Sequence, residues 1–317
     1  MRLMKEISWA IVGFIFLTLL VIIFVQFPRN IEYIGVGNAV KGTYVFSWEQ
    51  YRDNLHFFFK ELIYERNLGQ TFFERPVEVE AVEYALKSLP LIAISLFLSI
   101  PLGIAKGVMD LRHSNRKTNF LGNGTTAFFQ SVPDFMVIIC VQWGLMELMS
   151  WGLPRFSVYM DDEWYSFILP SLLLTLFPAA YLARITSMAL GSQEEQLYIL
   201  FARAKGLSER VVLWKHMLRN CWPAILNHLP SIVSVTLSNL LIVEYLTQYR
   251  GAAFRLYQAL GYHNSAAINV IYPGKEVVSE NNLIIVIVTL FMFLILLTKI
   301  ASLISRYFLD PLWREEK

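Results

Sequence analysis

The sequence predicts an all-α integral membrane protein with about six transmembrane helices. Three observations support this fold class: 56% of the 317 residues are hydrophobic, only 16% are charged, and the mean hydropathy is +0.47. A typical soluble domain has about 25% charged residues, so this chain is too apolar for one. The net charge of +2 is small, and its basic residues fall in loops, which argues against a nucleic-acid-binding protein.

The first apolar segment covers residues 7–27, about the 20 residues that a spanning helix requires. A cleaved signal peptide is the alternative, but the apolar core is too long for one and no small-residue cleavage site follows it. We interpret it as a retained span that starts in the cytoplasm. The other spans are predicted at residues 89–109, 125–149, 168–184, 224–246 and 283–304.

The sequence divides into four segments on this interpretation. Residues 1–28 form the N-terminal span, and residues 29–87 form an extracytoplasmic segment rich in aromatic side chains. Residues 88–310 form the transmembrane core, which includes a polar loop at residues 192–220, and residues 311–317 form a cytoplasmic tail.

The polar loop concentrates positive charge between two strongly apolar segments. Its basic residues are Arg203, Lys205, Arg210, Lys215 and Arg219. Short loops rich in Lys and Arg stay on the cytoplasmic side of a membrane, so this loop is predicted to be cytoplasmic. Residues 198–205 are predicted to form a short helix that Gly206 ends, and Ser208 is predicted to be the N-cap of a second helix. The result would be a compact helix–glycine–helix unit.

This loop resembles the coupling loop of ABC importer permeases of the oligopeptide, dipeptide and nickel type. The family pattern runs approximately D-Y-V-R-T-A-R-A-K-G-L-S and then H-A-L-R-N. The matching residues are Tyr198, Ala202, Arg203, Ala204, Lys205, Gly206, Leu207 and Ser208, followed by His216, Leu218, Arg219 and Asn220. The chain departs from the pattern at Leu197, Leu200 and Phe201, where the family has an acidic residue, Arg and Thr. The resemblance therefore implies an ATPase-facing surface that is more apolar than usual.

Two carboxylates are candidates for the translocation path. Asp134 lies in the stretch Ser131-Val132-Pro133-Asp134-Phe135, which is similar to the family's S-x-P-S-F. An ionisable side chain inside a span must face protein or water, so Asp134 either lines the path or bonds to a neighbouring helix. Glu244 is predicted near the outer end of the fifth span, where it can reach water and cap a gate or a helix end.

The resemblance implies a type I importer permease fold that forms half of a translocation path for peptides. The implied partners are a second, homologous permease, giving a heterodimer, two cytoplasmic ABC ATPase subunits and an extracytoplasmic substrate-binding protein. It also implies residence in the bacterial cell membrane, with the N- and C-termini in the cytoplasm. Residues 198 and 201–208 are the predicted ATPase-coupling residues.

Catalysis by the chain itself is not expected. Lys41 precedes the second glycine of residues 37–42, whereas a phosphate-binding lysine would follow it. The histidines and cysteines lack metal-ligand spacing, so no cofactor or metal is predicted, and ATP and Mg²⁺ are expected on the partner ATPases. Three alternatives remain: a permease for nickel or a metal chelate, a transport-inactive scaffold or sensor, and an ion channel, for which no filter-like loop is evident.

Overall fold

The computed structural model describes residues 2–28, 31–36, 39–113, 120–152, 154, 159, 163–261 and 280–309. Within these residues five helices are long and apolar enough to cross a membrane, or six when one sharply bent pair is counted as a single span. The all-α polytopic prediction is therefore confirmed. The five helices are α1 (Arg2–Val25), α3 (Val77–His113), α6 (Ile168–Gly191), α10 (Leu229–Thr247) and α12 (Asn281–Leu309).

The segment after α1 contains a feature that the sequence reading missed. Strands β1 (Ile31–Val36) and β2 (Ala39–Tyr44) form an antiparallel hairpin, and helix α2 (Trp48–Lys60) follows it. Ser47 caps α2, because its hydroxyl accepts a hydrogen bond from the Gln50 amide at 3.3 Å. This segment is thus a small folded unit, as a cap would require.

Helix α3 is longer than the span predicted from its apolar core. It runs unbroken for 37 residues through Pro90 and Pro101, so the predicted boundary between residues 87 and 88 falls inside the helix. The helix begins earlier because it extends beyond the apolar core into residues 77–87, with Glu78 and Glu80 in its first turn, where acidic side chains are favourable. The apolar residues of the sequence located the membrane-spanning part of α3 but not the N-terminal end of the helix.

Close contact between α3 and α6 depends on two glycines. A Cβ at Gly103 would lie 2.7 Å from the Leu182 Cβ, and one at Gly107 would lie 2.6 Å from the Ala183 carbonyl oxygen. Those distances are too short for any real Cβ. Small residues one turn apart permit such close helix approach in membranes, and Gly103 and Gly107 have this role between α3 and α6.

The third predicted span is not a single helix. Helix α4 (Thr125–Ser131) stops at Val132, and α5 (Asp134–Ser150) starts after Pro133; the segments Gly122–Ser131 and Asp134–Ser150 meet at 104°. The prediction of a continuous span over residues 125–149 is therefore wrong. The cause is local: Pro133 offers no amide hydrogen and disfavours helical geometry at the residue before it.

The fifth predicted span also has a break. Helix α9 (Leu218–Asn227) and α10 meet at His228, inside the predicted range of residues 224–246. Pro230 occupies the first turn of α10, where proline fits best. The remaining short helices are α7 (Leu197–Ala204), α8 (Glu209–Val211) and α11 (Ala252–Ala259). The predicted cytoplasmic tail lies outside the described residues.

Candidate functional site

The polar loop folds as the sequence predicts, into two helices joined at a glycine. We call residues 197–211 the knob. Gly206 has φ +76°, a left-handed conformation that favours glycine, and its amide donates to the Arg203 carbonyl at 2.9 Å to close α7. Ser208 has the extended backbone of an N-cap, as predicted, but its side chain makes no capping hydrogen bond.

Helix α7 has one buried face and one exposed apolar face. Ile199 and Ala202 are buried, whereas Leu197, Leu200 and Phe201 are 72%, 50% and 66% exposed. The exposed residues recur at spacings of three and four, which places them on one side of the helix. Ala202 packs inward, and its predicted part in ATPase coupling stays a prediction.

The other predicted coupling residues surround this apolar face. Arg203 pairs with Glu209 across the Gly206 turn, with Nε to Oε1 at 3.0 Å, which ties the two helices together. Tyr198 is half-buried, and its hydroxyl donates to Gln193 Oε1 at 2.6 Å. The remaining residues of the predicted set are all exposed: Ala204, Lys205, Gly206, Leu207 and Ser208.

The knob is packed firmly onto the spans. Its buried face joins an apolar cluster that contains Ile104 of α3 and Leu182 of α6, together with Val212 and Met217 from the turn after α8. A π-helical turn over Val212–Met217 leads from α8 into α9. A force on the knob would therefore reach α3, α6 and α9 through packed side chains.

Asp134 is the first residue of α5, at the break between the two half-helices. It is partly exposed, and the Asn239 amide donates a hydrogen bond to its carboxylate. Both residues line a cavity of about 390 Å³, together with Gln130 and Arg184. Arg184 donates to Gln130 Oε1 at 3.1 Å. The break thus exposes polar side chains from α4, α5, α6 and α10 to one space.

Glu244 is placed differently from the prediction. The sequence predicts that it can reach water, whereas the structure buries it fully. Its carboxylate accepts from the Phe254 amide at 2.9 Å, at the start of α11, and from the Ser88 hydroxyl at 2.5 Å. The Ser88 hydroxyl in turn accepts from the Ala252 amide. Glu244 therefore fastens α11 to α10 and α3, and its role in a path stays a prediction.

A second buried group of charges adjoins α11, and we call Glu80, Arg255 and Glu280 the outer triad. Arg255 Nε lies 2.6 Å from Glu80 Oε1, and Arg255 lies 2.6 Å from Glu280 through its Nη1 atom. Thr71 donates to the free oxygen of Glu80 at 2.6 Å. Burial lowers the pKa of Arg255, but hydrogen bonds and attraction from Glu280 and Glu80 outweigh it, so the pKa is raised.

The sequence alone did not indicate that Arg255 pairs with two carboxylates. Glu80 lies far before Arg255 in the sequence and Glu280 lies well after it. Nothing in a single sequence indicates that either carboxylate pairs with Arg255. Their one signal is position: each lies just before or within the first turn of an apolar helix. On the opposite side, Asp110 is also buried, and it accepts from Lys106 and from Thr126 to hold α3 against α4.

No metal site is evident in the residues that the structure describes, since no three His, Cys, Asp or Glu side chains cluster there. Fold and site together define a polytopic membrane permease with a helical knob between two of its spans. The chain belongs to the family described as binding-protein-dependent transport system inner membrane component, whose model matches residues 99–314. That family is a transport component, which agrees with the expectation that the chain is not itself an enzyme.

Curated relatives agree with the family. The chain is 28% identical over 240 residues to a Brucella abortus protein named "Putative peptide transport system permease protein", which covers 74% of this chain and 73% of that one. It is 29% identical over 177 residues to the glutathione transport system permease protein GsiC of Salmonella typhimurium, with 56% of each chain covered. The predicted resemblance to peptide-type importer permeases is thereby confirmed.

Proposed function

We propose that this chain forms half of the translocation path of an ATP-driven peptide importer and receives force from a cytoplasmic ATPase through the knob. The observation that carries this proposal is the exposed apolar face of α7. Leu197, Leu200 and Phe201 lie open on a helix whose opposite face is buried against the bundle. An exposed apolar patch of this kind is typical of a protein-binding surface.

The mechanism follows from how the knob is attached. An ATPase that clasps Leu197, Leu200 and Phe201 moves the knob as a rigid body when it closes, and the knob carries α3, α6 and α9 with it. ATP and Mg²⁺ bind to the ATPase partners in this scheme. Ala202 contributes by packing, while Phe201 and its exposed neighbours make the contact.

Asp134 supports the location of the path. Asp134, Gln130 and Arg184 share a cavity and are not fully buried, although they lie within spans. Charged side chains at that depth avoid lipid, so this face belongs against water or a second permease subunit. We assign it to the path between two homologous permeases, which form a heterodimer, and we assign substrate delivery to an extracytoplasmic binding protein.

Peptide is the proposed substrate class because the named relatives include peptide and glutathione permeases. A nickel or metal-chelate importer is the second candidate, and it shares the coupling motif. In both cases the N- and C-termini are cytoplasmic and the loop after α6 faces the ATPase. A transport-inactive scaffold or sensor would keep the knob without moving substrate.

The knob is tested by Phe201→Asp in the assembled transporter, reconstituted in liposomes with its binding protein. We expect ATPase subunits to dissociate or uptake to fall at least about tenfold, since a buried charge at a contact costs on the order of 1.4 kcal/mol or more. Tyr64→Asp is the control, because Tyr64 is also exposed but lies in the segment before α3. Normal uptake and ATPase retention by Phe201→Asp would refute this docking surface.

Two further variants test rigidity as distinct from contact. Ala204→Asp and Gly206→Pro disturb the knob and leave the span surfaces unchanged, so we expect membrane insertion to persist while substrate no longer stimulates ATP hydrolysis. The orientation is tested by a single cysteine at Lys205 in intact cells. Labelling of that cysteine by a membrane-impermeant reagent would reverse the topology.

A further inference from the structure

The cavity at the break between α4 and α5 contains more hydrogen-bond acceptors than its protein neighbours satisfy. Its volume is about 390 Å³, and its polar lining includes Asp134, Asn239, Gln130 and Arg184. Aromatic side chains from α6 complete the wall. The cavity therefore combines one carboxylate, one guanidinium and apolar surface in a space large enough for a small peptide end.

Asn239 provides the observation that points to a ligand. The residue is 3% exposed, and its Nδ2 atom donates to the Val235 carbonyl at 3.1 Å and to the Asp134 carboxylate. Both neighbours can only accept, so the amide orientation is fixed and Oδ1 points elsewhere. Oδ1 is buried and has no hydrogen-bond partner among the described residues. A buried acceptor without a partner is unfavourable, which indicates that a donor fills this place at some stage.

Asp134 supplies a negative charge beside that acceptor. As the first residue of α5, its carboxylate lies where the helix dipole favours an anion. Arg184 is held apart by Gln130, and among the described residues no ion pair joins Arg184 to Asp134. The two opposite charges of the cavity are therefore both available to a substrate that carries both charges itself.

We infer that this cavity is a transit site for the charged ends of a peptide, in which the terminal ammonium binds Asp134 and Asn239 Oδ1 while the carboxylate faces Arg184. The inference rests on the proposed function and names the charged groups of the substrate that the path would bind. An ammonium has three N–H donors and thus matches a carboxylate and an amide oxygen together. Aromatic faces of Phe177 and Tyr181 add favourable surroundings for a cation.

A bare divalent metal fits the cavity less well. Nickel and related ions prefer imidazole nitrogen or thiolate sulfur, and several such ligands are required. The cavity lining has a single carboxylate and neither His nor Cys. The amine is thus the favoured occupant, and the metal is one outcome of the test.

The test measures binding to the full-length chain in lipid nanodiscs by saturation-transfer NMR. The two probes are alanyl-alanine amide and its N-acetyl form, which differ only in the charged amine. We expect the free amine to bind at least about tenfold more tightly, and Asp134→Asn to remove that preference. Glu147→Gln is the matched control, because it also replaces a carboxylate by an amide on the same helix, but outside the cavity. We expect this variant to keep the preference.

Asn239→Leu should lower affinity for the free amine and leave the N-acetyl form unaffected, which separates a ligand role from a general charge effect. Arg184→Gln should matter only for alanyl-alanine with its free carboxylate. Equal binding of both amide probes to the wild-type chain, or binding of nickel chloride alone, would overturn the inference. Amine binding in a chain whose reconstituted complex imports no peptide would instead refute the proposed function and leave the site standing.

Discussion

The outer triad and the knob differ in the kind of side chain that each buries and exposes. The outer triad buries Arg255 between Glu80 and Glu280, with essentially no exposure of Arg255 or Glu80. The knob instead exposes Phe201 and Leu200 and leaves its ion pair, Arg203 with Glu209, in water. The outer triad therefore buries charged side chains, whereas the knob exposes apolar ones.

This contrast distinguishes an internal fastening from a partner surface. Buried charges persist only when they are paired and hydrogen-bonded. Arg255 pairs with both carboxylates, and the Thr71 hydroxyl and the Phe72 amide donate to Glu80 and Glu280, so the outer triad holds α3, α11 and α12 in one arrangement. An exposed apolar face does not stabilise the fold of the isolated chain. Such a face is typical of a surface that binds another protein. The outer triad is thus satisfied by contacts within this chain, whereas the exposed face of the knob is the surface for which we propose a protein partner.

The largest expected effect separates the two ion pairs by the same substitution. Arg255→Ala leaves two carboxylates buried without a cation and should lower the free energy of unfolding by about 3–5 kcal/mol. Arg203→Ala should cost about 0.2–1 kcal/mol, since that pair is exposed. Detergent-titration unfolding of both purified variants measures the difference.

Removal of one carboxylate charge gives the control for that comparison. Glu280→Gln should recover part of the loss in Arg255→Ala, because the two buried carboxylates then no longer repel each other, and it should change the cost of Arg203→Ala little. Equal destabilisation of the two variants would mean that water or protons compensate Glu80 and Glu280, and the triad would not be an internal fastening.

A smaller effect compares two glycines, one constrained by space and one by backbone conformation. A Cβ at Gly251 would overlap the Glu244 carboxylate and the Ser88 hydroxyl, whereas nothing lies within 4 Å of a Cβ at Gly206. Gly251→Ala should therefore cost about 2–3 kcal/mol through overpacking. Gly206→Ala should cost about 1 kcal/mol, since only its left-handed backbone is unfavourable for alanine.

The same unfolding titration measures both glycine variants, and transport assays separate them further. Gly206→Ala should keep the spans intact, so any loss of uptake at normal stability comes from the knob. A Gly251→Ala chain as stable as the wild type would show that α11 can move away from Glu244 without cost.

The smallest effect concerns Glu61, at the end of α2. Burial raises its pKa, and repulsion from Glu65 adds to this, while a hydrogen bond from Asn282 acts in the opposite direction. A raised native pKa means that the native state binds the proton more tightly than the unfolded chain does. The stability contributed by the proton is present below the ordinary pKa of Glu and is lost as pH rises through the native value.

Glu61→Gln should remove this dependence. From about pH 7 to about pH 4 the thermal unfolding midpoint should fall further, or rise less, for the variant than for the wild type, because only the wild type gains stability when Glu61 is protonated, while all other carboxylates contribute equally to both. If the variant and the wild type show the same change in midpoint, Glu61 has the same pKa in the folded and the unfolded chain. Its contact with Asn282 of α12 would then not contribute to the pH dependence of stability.

The sequence predicted the regions whose chemistry is local. Apolar runs located the spans, because a helix that crosses lipid needs about 20 apolar residues whatever its neighbours are. The knob was predicted to within a residue, since Gly206 and Ser208 encode a turn and a cap in their own backbone preferences. The permease family was likewise identifiable from motif residues alone.

Tertiary structure decided what depends on residues that are distant in sequence. Pro133 was visible in the sequence, but a proline can bend a span or end one, and only the structure shows a break of 104° there. Glu244 was noted in the sequence, yet only the fold brings Ser88 to it, and only the fold brings Glu80 and Glu280 to Arg255, so that these charges are buried. A charged residue's environment is set by the helices that pack against it, and one sequence lists those helices without pairing them.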